Sequence, residues 1–303
     1  MKRRAQSMRE LSQIMSSTFD AELTTRSIQN FSPRSTDIII TPFGKCGTTW
    51  TQQIFHTLRT RGDMDFDDIS RVVPWIETSG SLGLDINAEQ VANPRGFKSH
   101  LSFDRIPKGC KYINVIRDPL DAAYSSFKFM EGWYLEPGAV SPDDFVSQSL
   151  KRGDYYHHFI SWWPQRNNKN VLYLVYEDMK KYLSSNIKKI SKFAEIELDD
   201  DLLAITEKHS SFSFMTDFKD RFDDAMLRKQ SEEKVLPSGS DSSKVRAGQV
   251  GAYDFKNETI AAFSDKWREV VTPVTGFDTY EALTRSLLSE VDGSVAGSVV
   301  KIE

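Results

Sequence analysis

The chain has 303 residues, of which 39 are basic and 43 acidic, and this nearly balanced charge is unlike that of proteins that bind nucleic acid along their surface. Its only cysteines, Cys46 and Cys110, are too few for a disulfide framework and lack the CxxC spacing of zinc sites, so we expect a reducing, cytoplasmic setting. No stretch approaches the roughly 18 apolar residues of a membrane span, and residues 1–15 lack the apolar segment of a signal peptide, so we expect a soluble protein.

The first elements form a strand-turn-helix unit. Residues 1–36 are polar and mixed, and they predict a helix or arm. The apolar run at 37–40 predicts a buried strand, and the turn GKCG at 44–47 leads into a helix that we expect to start near Thr48. Apolar residues recur at every fourth position from Trp50 to Leu58, as on one face of a helix.

Such a turn at a helix N-terminus is suited to holding phosphate, because free backbone N–H groups and the positive end of the helix dipole point at the anion. Lys45 adds a full charge. The Walker sequence GxxxxGK[ST] is absent, since Ile39 stands where its first glycine would be and Cys46 follows the lysine. The pattern therefore disfavours an ATP- or GTP-binding loop. An ordinary strand-turn-helix with an exposed lysine remains the alternative.

Further along, residues 62–93 mix acidic, aromatic, Pro and Gly residues and predict an irregular excursion. The apolar runs at 111–119 and 170–178 predict two more buried strands, each followed by a helix; Asp118 can cap the first of these helices and Pro119 can open it. Strands alternating with helices predict a parallel sheet with helices on both faces and an active site at the carboxyl ends of the strands. The candidates at those ends are Lys45, Arg117 and Tyr176.

The C-terminal part of the chain contains less regular segments. Residues 228–250 are rich in Ser, Gly and charge and predict a long loop of the kind found in lids or disordered segments. The tail 291–303 predicts a flexible end. We therefore expect one α/β domain over residues 37–290, with 62–93 on the acceptor side.

Six short motifs occur in one order along the chain: KCGTTW (45–50), PRGFKSHL (94–101), RDPLDAAYS (117–125), YEDM (176–179), HSSFSFM (209–215) and RAGQVG (246–251). Together they resemble the cytosolic sulfotransferases, which move a sulfuryl group from 3′-phosphoadenosine 5′-phosphosulfate (PAPS) to a small acceptor. The resemblance spans roughly residues 37–267. It implies the P-loop-NTPase-like sulfotransferase fold, a single domain with a central parallel sheet flanked by helices.

The resemblance also implies how PAPS, or its product 3′-phosphoadenosine 5′-phosphate (PAP), would be held. The implied cofactor-binding residues are Lys45, Cys46, Gly47, Thr48, Thr49 and Trp50 for the 5′-phosphosulfate, Arg117 and Ser125 for the 3′-phosphate, Tyr176, Ser210, Phe212 and Met215 near adenine, and Arg246, Ala247 and Gly248 in a lid. Departures from the family pattern include Gly44 in place of Pro, Cys46 in place of Ser and Ala247 in place of Lys. We expect the replacement of Lys by Ala247 to weaken, without abolishing, the contact of the lid with the 3′-phosphate.

Sulfuryl transfer is an in-line displacement, in which the protein mostly positions groups and neutralises charge. His100 is the expected base, Lys45 the cation at the leaving phosphate, and Lys98, two residues before His100, a further donor on the same side if the segment is extended. No metal is expected. Each of these roles has an alternative. Arg117 could pair with Asp118 and not bind phosphate, and Cys46 could be a reactive thiol. The side chains that could have only a packing role are His100, Tyr176, Phe212 and Met215. His56, His157 and His158 are interpreted as structural.

The acceptor pocket is the part that the sequence defines least. VPWIE (73–77) resembles a family segment whose aromatic residue lines the acceptor site; the candidates are Phe43, Trp75, Phe97, Phe129 and Trp133. An aromatic pocket favours a phenol, steroid or alcohol. If Glu77 faced the site, a cationic acceptor such as a guanidinium or amine natural product would follow. The choice between O- and N-sulfation stays open.

Two other functions remain open at this stage. One is a non-catalytic module that binds PAPS or PAP, suggested by Cys46 and Ala247; the other is sulfation that drives dehydration, as in the related retinol dehydratase. The expected partner is a small-molecule acceptor, without nucleic acid or membrane. The segment KNETIAAFSD (256–265) fits the family's dimer motif KxxxTVxxxE poorly, so the oligomeric state is left open.

Overall fold

The protein folds around one parallel β-sheet. A computed structural model describes residues 2–242, 244–246 and 248–296, with side chains described as far as residue 289. The four strands are β1 (Ile38–Ile40), β2 (Gly96–Lys98), β3 (Lys111–Ile116) and β4 (Val171–Val175), in the order β2-β1-β3-β4. All neighbouring strands are parallel. The predicted α/β class with a central parallel sheet is confirmed.

Helices surround this sheet. In chain order they are α1 (Met8–Thr18), α2 (Ala21–Asn30), α3 (Thr48–Thr60), α4 (Ile69–Val72), α5 (Pro119–Trp133), α6 (Pro142–Arg152), α7 (Asp154–Trp162), α8 (Tyr176–Lys181), α9 (Leu183–Ala194), α10 (Asp200–His209), α11 (Phe212–Asp217), α12 (Ala225–Lys234), α13 (Asn257–Val270), α14 (Thr272–Thr275) and α15 (Tyr280–Ala296), with 3-10 turns at Trp163–Gln165 and Lys219–Phe222. Within the described ranges, no helix is both long and apolar enough to cross a membrane.

The apolar run of β1 is buried on both faces of the sheet, as expected for a central parallel strand. Ile38 and Ile40 pack into the cluster that contains Ile54 and Leu58 of α3, whereas Ile39 packs into the opposite cluster. This alternation follows from the two-residue period of a strand. The predicted amphipathic face of α3 is therefore confirmed.

The predicted strand at 111–119 ends earlier, at Ile116, because α5 starts at Pro119. The carboxylate of Asp118 accepts a hydrogen bond from the backbone N–H of Asp121 at 3.0 Å, so the predicted cap and N-terminal proline are both confirmed. Only Arg117 and Asp118 separate the strand from the helix. This tight connection places Arg117 at the sheet edge.

A buried ion pair joins the residue before β1 to the residue before β2. Arg95 donates to both carboxylate oxygens of Asp37, at 3.0 and 2.7 Å, and both side chains are almost fully inaccessible. Asp37 also accepts from the backbone N–H of Arg34 at 2.8 Å. The pair is buried and hydrogen-bonded, so it fixes how the segment before β2 lies against the sheet.

The segments outside the sheet differ in part from expectation. The N-terminal arm contains α1 and α2, and Ala5 is bridged to Leu135 just after α5. The expected loop at 228–250 begins inside α12, whose buried Leu227 and Ser231 anchor it to the body. The expected flexible tail also begins inside a helix, since α15 continues to Ala296; residues 297–303 lie outside the described residues.

Candidate active site

A cavity of about 390 Å³ opens at the carboxyl ends of the strands. It gathers most of the predicted site residues, which come from separate segments of the chain. Those that line it are Lys45, Gly47, Thr48, Thr49, Trp50, Trp75, Lys98, His100, Arg117, Ser125, Phe129, Trp133, Tyr176, Ser210, Phe212, Met215, Arg246 and Gly248. Ala247 lies outside the described residues.

The turn before α3 leaves backbone donors free toward this cavity. The helix starts after Gly47, which provides no side-chain cap, and its first backbone hydrogen bond runs from the N–H of Thr51 to the carbonyl of Gly47 at 2.9 Å. The N–H groups of the first turn therefore lack helical partners. The hydroxyl of Thr48 is also buried without a partner among the described residues. These donors fit an anionic group.

The glycines of the turn have different roles. Gly47 adopts φ +90°, and a Cβ added there would meet the ring of Tyr176 at 2.9 Å. Gly44 has no atom within 4 Å of such a Cβ, so the Gly that replaces the family's Pro is under no steric constraint. The turn thus needs a glycine at only one of these two positions.

Cys46 is the one member of the turn that does not line the cavity. Its side chain is buried in the cluster with Ile116 and Tyr155, and burial raises the pKa of the thiol to about 12. A thiol with such a pKa stays protonated at neutral pH and is a poor nucleophile. Because the side chain packs into the core, the replacement of Ser by Cys leaves the backbone donors unchanged.

Two lysines provide positive charge beside the turn. The ammonium of Lys45 lies 4.3 Å from the ring centroid of Phe129, and that of Lys98 lies 3.9 Å from the ring of Trp75. Burial and, after it, the nearby charge of Lys244 lower the pKa of Lys45 to about 7 and that of Lys98 to about 8. An anion bound between these groups would oppose both shifts.

His100 lies two residues after Lys98 and lines the same cavity, as the spacing predicted. Its Nδ1 is 2.7 Å from the carbonyl oxygen of Pro42, and its backbone N–H donates to Glu77 at 2.7 Å. A carbonyl can only accept, so the proton is on Nδ1 and Nε2 keeps its lone pair. Burial, followed by the charge of Lys98, lowers the pKa of His100 to about 3. The imidazole is therefore neutral at physiological pH, the form that can take up a proton.

Arg117 lines another part of the cavity. Its guanidinium donates to the carbonyl of Lys45 at 3.0 Å and lies 4.4 Å from the ring of Tyr176, while its Nε is buried without a partner among the described residues. Ser125 lines the cavity from α5. A buried cation with an unused donor fits a second anionic group.

An aromatic side wall and a covering segment complete this end. Trp50 packs edge-on against Tyr176 at 5.6 Å and donates from its indole N–H to the carbonyl of Ser210 at 2.8 Å. Phe212 is half exposed, and its ring is the nearest neighbour of Gly248, at 3.1 Å from the position that a Cβ would occupy there. The flat, apolar surfaces fit an aromatic base.

The acceptor-side prediction is partly wrong. Trp75, Phe129 and Trp133 line the cavity, but Phe43 and Phe97 do not. Phe97 is fully buried against Phe31 because it alternates with Lys98 along β2, and Phe43 packs against Tyr155 and His158. Glu77 also lies outside the cavity, since its carboxylate is used to hold the backbone of His100.

Several lining residues were not predicted. Met15 and Phe19 reach the cavity from the N-terminal arm, Tyr134 closes it from the end of α5, and Asp224 and Lys244 add charge. The apolar spacing of α1 could have indicated a buried face, but nothing in the sequence identifies Asp224 or Lys244. The structural interpretation of His56 and His158 agrees with their burial. Among the described residues, no three His, Cys, Asp or Glu side chains are grouped to hold a metal.

Comparison with known proteins identifies the family. A sulfotransferase-domain family model matches residues 35–276, most of the chain. The chain belongs to the sulfotransferase family. The resemblance drawn from the motifs is thereby confirmed, and the protein is a PAPS-dependent sulfotransferase that carries out sulfuryl transfer.

Relatives of this sulfotransferase support the assignment along most of its length. It is 31% identical to sulfotransferase 1 family member D1 of Mus musculus over 257 residues, 80% of this chain and 84% of that protein. It is also 31% identical to sulfotransferase 1B1 of Canis lupus familiaris over 260 residues, 79% and 83% of the two chains.

Solved structures share the fold of this sulfotransferase. Retinol dehydratase, solved with androsterone and the inactive cofactor PAP, superposes with a TM-score of 0.66 at 19% identity, covering 89% of this chain and 96% of that one. Mouse sulfotransferase SULT7A1, solved with PAP, gives a TM-score of 0.65 at 24% identity, covering 84% and 91%.

Proposed function

We propose that this sulfotransferase transfers the sulfuryl group of PAPS to a hydroxyl of a small, largely apolar acceptor, with His100 as the base. The observation that carries the proposal is the hydrogen bond from Nδ1 of His100 to the carbonyl of Pro42 at 2.7 Å. It leaves Nε2 unprotonated in a cavity that also holds Lys45 and Lys98.

The residues present fit a nucleotide that carries two separated anionic groups. The free first-turn N–H groups of α3, the unpartnered hydroxyl of Thr48 and the ammonium of Lys45 would hold the 5′-phosphosulfate. Arg117 and Ser125 would hold the 3′-phosphate. The adenine would lie against the aromatic wall formed by Trp50 and Tyr176.

The reaction exchanges one bond to sulfur for another. The bond between the sulfuryl sulfur and the bridging phosphate oxygen breaks, a bond from sulfur to the acceptor oxygen forms, and the hydroxyl proton passes to Nε2 of His100. The phosphate leaves with both bonding electrons, and Lys45 offsets the charge that it gains. PAPS supplies the activated sulfuryl group, while the protein's own residues orient the acceptor, accept the proton and neutralise the leaving group.

The shape and chemistry of the acceptor end favour a flat, apolar alcohol or phenol. Its walls include Trp75, Phe129, Trp133 and Phe19. The argument for a cationic acceptor depended on Glu77 facing the site, and that carboxylate instead accepts a hydrogen bond from the backbone of His100. O-sulfation is therefore the form of the reaction that we propose.

The test combines binding and turnover. Isothermal titration with PAP would measure nucleotide binding, and labelled PAPS with a panel of phenols and alcohols, beginning with 2-naphthol, would measure transfer. For His100→Ala we expect turnover to fall by about 10²- to 10⁴-fold, with PAP affinity within about threefold of wild type. His157→Ala is the matched control, because His157 is exposed and outside the cavity.

Three outcomes would contradict the proposal. Normal turnover by His100→Ala would remove the base assignment. PAP binding by the wild-type protein without transfer to any acceptor would favour a non-catalytic module. A product that has lost water and retains no sulfate would favour sulfation-driven dehydration, and product mass would distinguish it.

A further inference from the structure

Asp224 has an unusual backbone position. It precedes α12 with φ 50°, in the left-handed region, and its side chain does not cap the helix. The cap is provided instead by Asp68, whose carboxylate accepts from the backbone N–H of Met226 at 3.0 Å. Asp224 is therefore released from the usual role of a residue before a helix, and it lines the cavity.

The buried carboxylate contacts two cations that come from distant parts of the chain. Its Oδ1 lies 2.5 Å from the ammonium of Lys244 and 4.0 Å from that of Lys98, and the exposed side-chain fractions are 3% for Asp224, 9% for Lys244 and 4% for Lys98. Lys98 belongs to β2, whereas Lys244 precedes the lid residue Arg246. Asp224 thus links the strand that carries Lys98 to the segment that covers the nucleotide side.

These cations surround the region between the leaving phosphate and the base. Lys45 marks the phosphate end and His100 the acceptor end, so a transferred sulfuryl group has to lie between them. Lys98 and Lys244 line the same cavity, and the charge of Lys244 lowers the pKa of Lys45, Lys98 and His100. The ammonium groups of Lys98 and Lys244 also lie within 4.0 Å of the same Asp224 oxygen, so Lys244 is beside Lys98 in this cavity.

Burying three ammonium groups together carries a cost. Burial and mutual repulsion favour loss of a proton, as the lowered pKa of about 7 for Lys45 and about 8 for Lys98 indicates. Asp224 is the main nearby charge that favours the protonated form of both lysines. Without it, the site would lose positive charge in the neutral to mildly alkaline range, where the reaction needs it.

We propose that Asp224 is a positioning residue that aims Lys98 and Lys244 at the sulfuryl group, and that Lys244 is an additional cation for that group. This inference rests on the proposed function. The charged and titratable groups that face Lys98 from the surrounding elements are Lys45, Asp68, Glu77, His100, Asp224 and Lys244.

The experiment compares the binding of PAPS with that of PAP, which lacks the sulfuryl group. The ratio of the two affinities therefore reports only the contacts with that group. No acceptor is needed. Titration calorimetry would measure both dissociation constants from pH 6 to pH 9. The variants are Asp224→Asn, Lys244→Met and the control Asp223→Asn. Asn tolerates the left-handed backbone as Asp does, so Asp224→Asn keeps the fold. Asp223 is also buried, but it pairs with Arg228 and does not line the cavity.

For Asp224→Asn we expect the preference for PAPS over PAP to disappear at a pH at least one unit lower than in wild type. The loss should be at least about fivefold at pH 8, where the charge of Lys98 falls, and small at pH 6. Lys244→Met should reduce the preference about fivefold at pH 6 and by less toward pH 9, because removal of its charge raises the pKa of Lys98. Asp223→Asn should follow wild type. The inference is overturned if Asp224→Asn and Asp223→Asn show the same preference for PAPS over PAP at every pH. It is also overturned if Asp224→Asn prefers PAPS more strongly than wild type at every pH, because the carboxylate of Asp224 would then only repel the sulfuryl group. A wild-type protein that bound neither nucleotide would overturn the proposed function itself, and this inference with it.

Discussion

Replacing Gly47 by alanine tests the phosphate-holding turn directly. The added Cβ would meet the ring of Tyr176 at 2.9 Å, and the residue would be held at φ +90°, which alanine rarely adopts. Such backbone strain costs about 1–3 kcal/mol. If the strain appears wholly in folding, the free energy of unfolding falls by that amount; if it appears wholly in binding, PAP affinity falls by about 5- to 150-fold.

The same substitution at Gly44 is the matched control. That residue lies outside the left-handed region and has open space around its Cβ position, so alanine should preserve PAP affinity and raise the free energy of unfolding by about 0.4–1 kcal/mol. Urea unfolding and titration with PAP would be measured for both variants, since the strain can be expressed in either quantity. Equal values for Gly47→Ala and Gly44→Ala in both measurements would refute the reasoning.

Three further predictions concern the rest of the framework and the site. Arg95→Ala leaves the buried carboxylate of Asp37 without its charge partner and should lower the free energy of unfolding by about 3–5 kcal/mol. The control Arg34→Ala, which breaks the exposed pair with Glu89, should lower it by only about 0–1 kcal/mol. Equal losses for the two variants in urea unfolding would contradict this. Cys46→Ser should keep PAP affinity within about threefold. In the wild-type protein, Cys46 and Cys110 should both react with a disulfide reagent at pH 8 far more slowly than in the unfolded protein, because burial raises the pKa of each thiol to about 12. Fast reaction in the native protein would show that a thiol is accessible. Arg117→Ala should lower the affinity for PAP by about tenfold or more, and the affinity for ADP, which lacks the 3′-phosphate, by much less. Equal losses of affinity for the two nucleotides would place the 3′-phosphate elsewhere.

Much of the fold could be predicted because three of its four strands, β1, β3 and β4, lie in largely apolar runs. The run at Ile38–Ile40 is buried on both faces, and the turn after it contains the glycine and lysine that the motif requires. The strand Gly96–Lys98 could not be recognised in this way, since three residues with a glycine and a lysine carry no period. Its pairing with β1 depends on the chain folding back over a long distance.

The cavity was harder to predict than the fold. The resemblance indicated which segments meet there, but not which side of each strand faces inward. For that reason Phe97 was misassigned to the acceptor pocket, whereas its neighbour Lys98 lines the cavity. Asp224 and Lys244 lie in stretches whose composition resembles an ordinary surface loop. Their importance depends on contacts made only in three dimensions: Asp224 lies 2.5 Å from Lys244 and 4.0 Å from Lys98, which is far from both in sequence.

The position of α1 has a consequence for how acceptor preference can change. The segment is attached by the pairing of Ala5 with Leu135, and it contributes Met15 and Phe19 to the cavity without contributing to the turn that precedes α3. This part of the acceptor wall is therefore separate in sequence from the turn that precedes α3 and from the other lining residues. Exchanging residues 5–19 between relatives would change the wall that faces the acceptor and leave the residues that would bind the nucleotide unchanged.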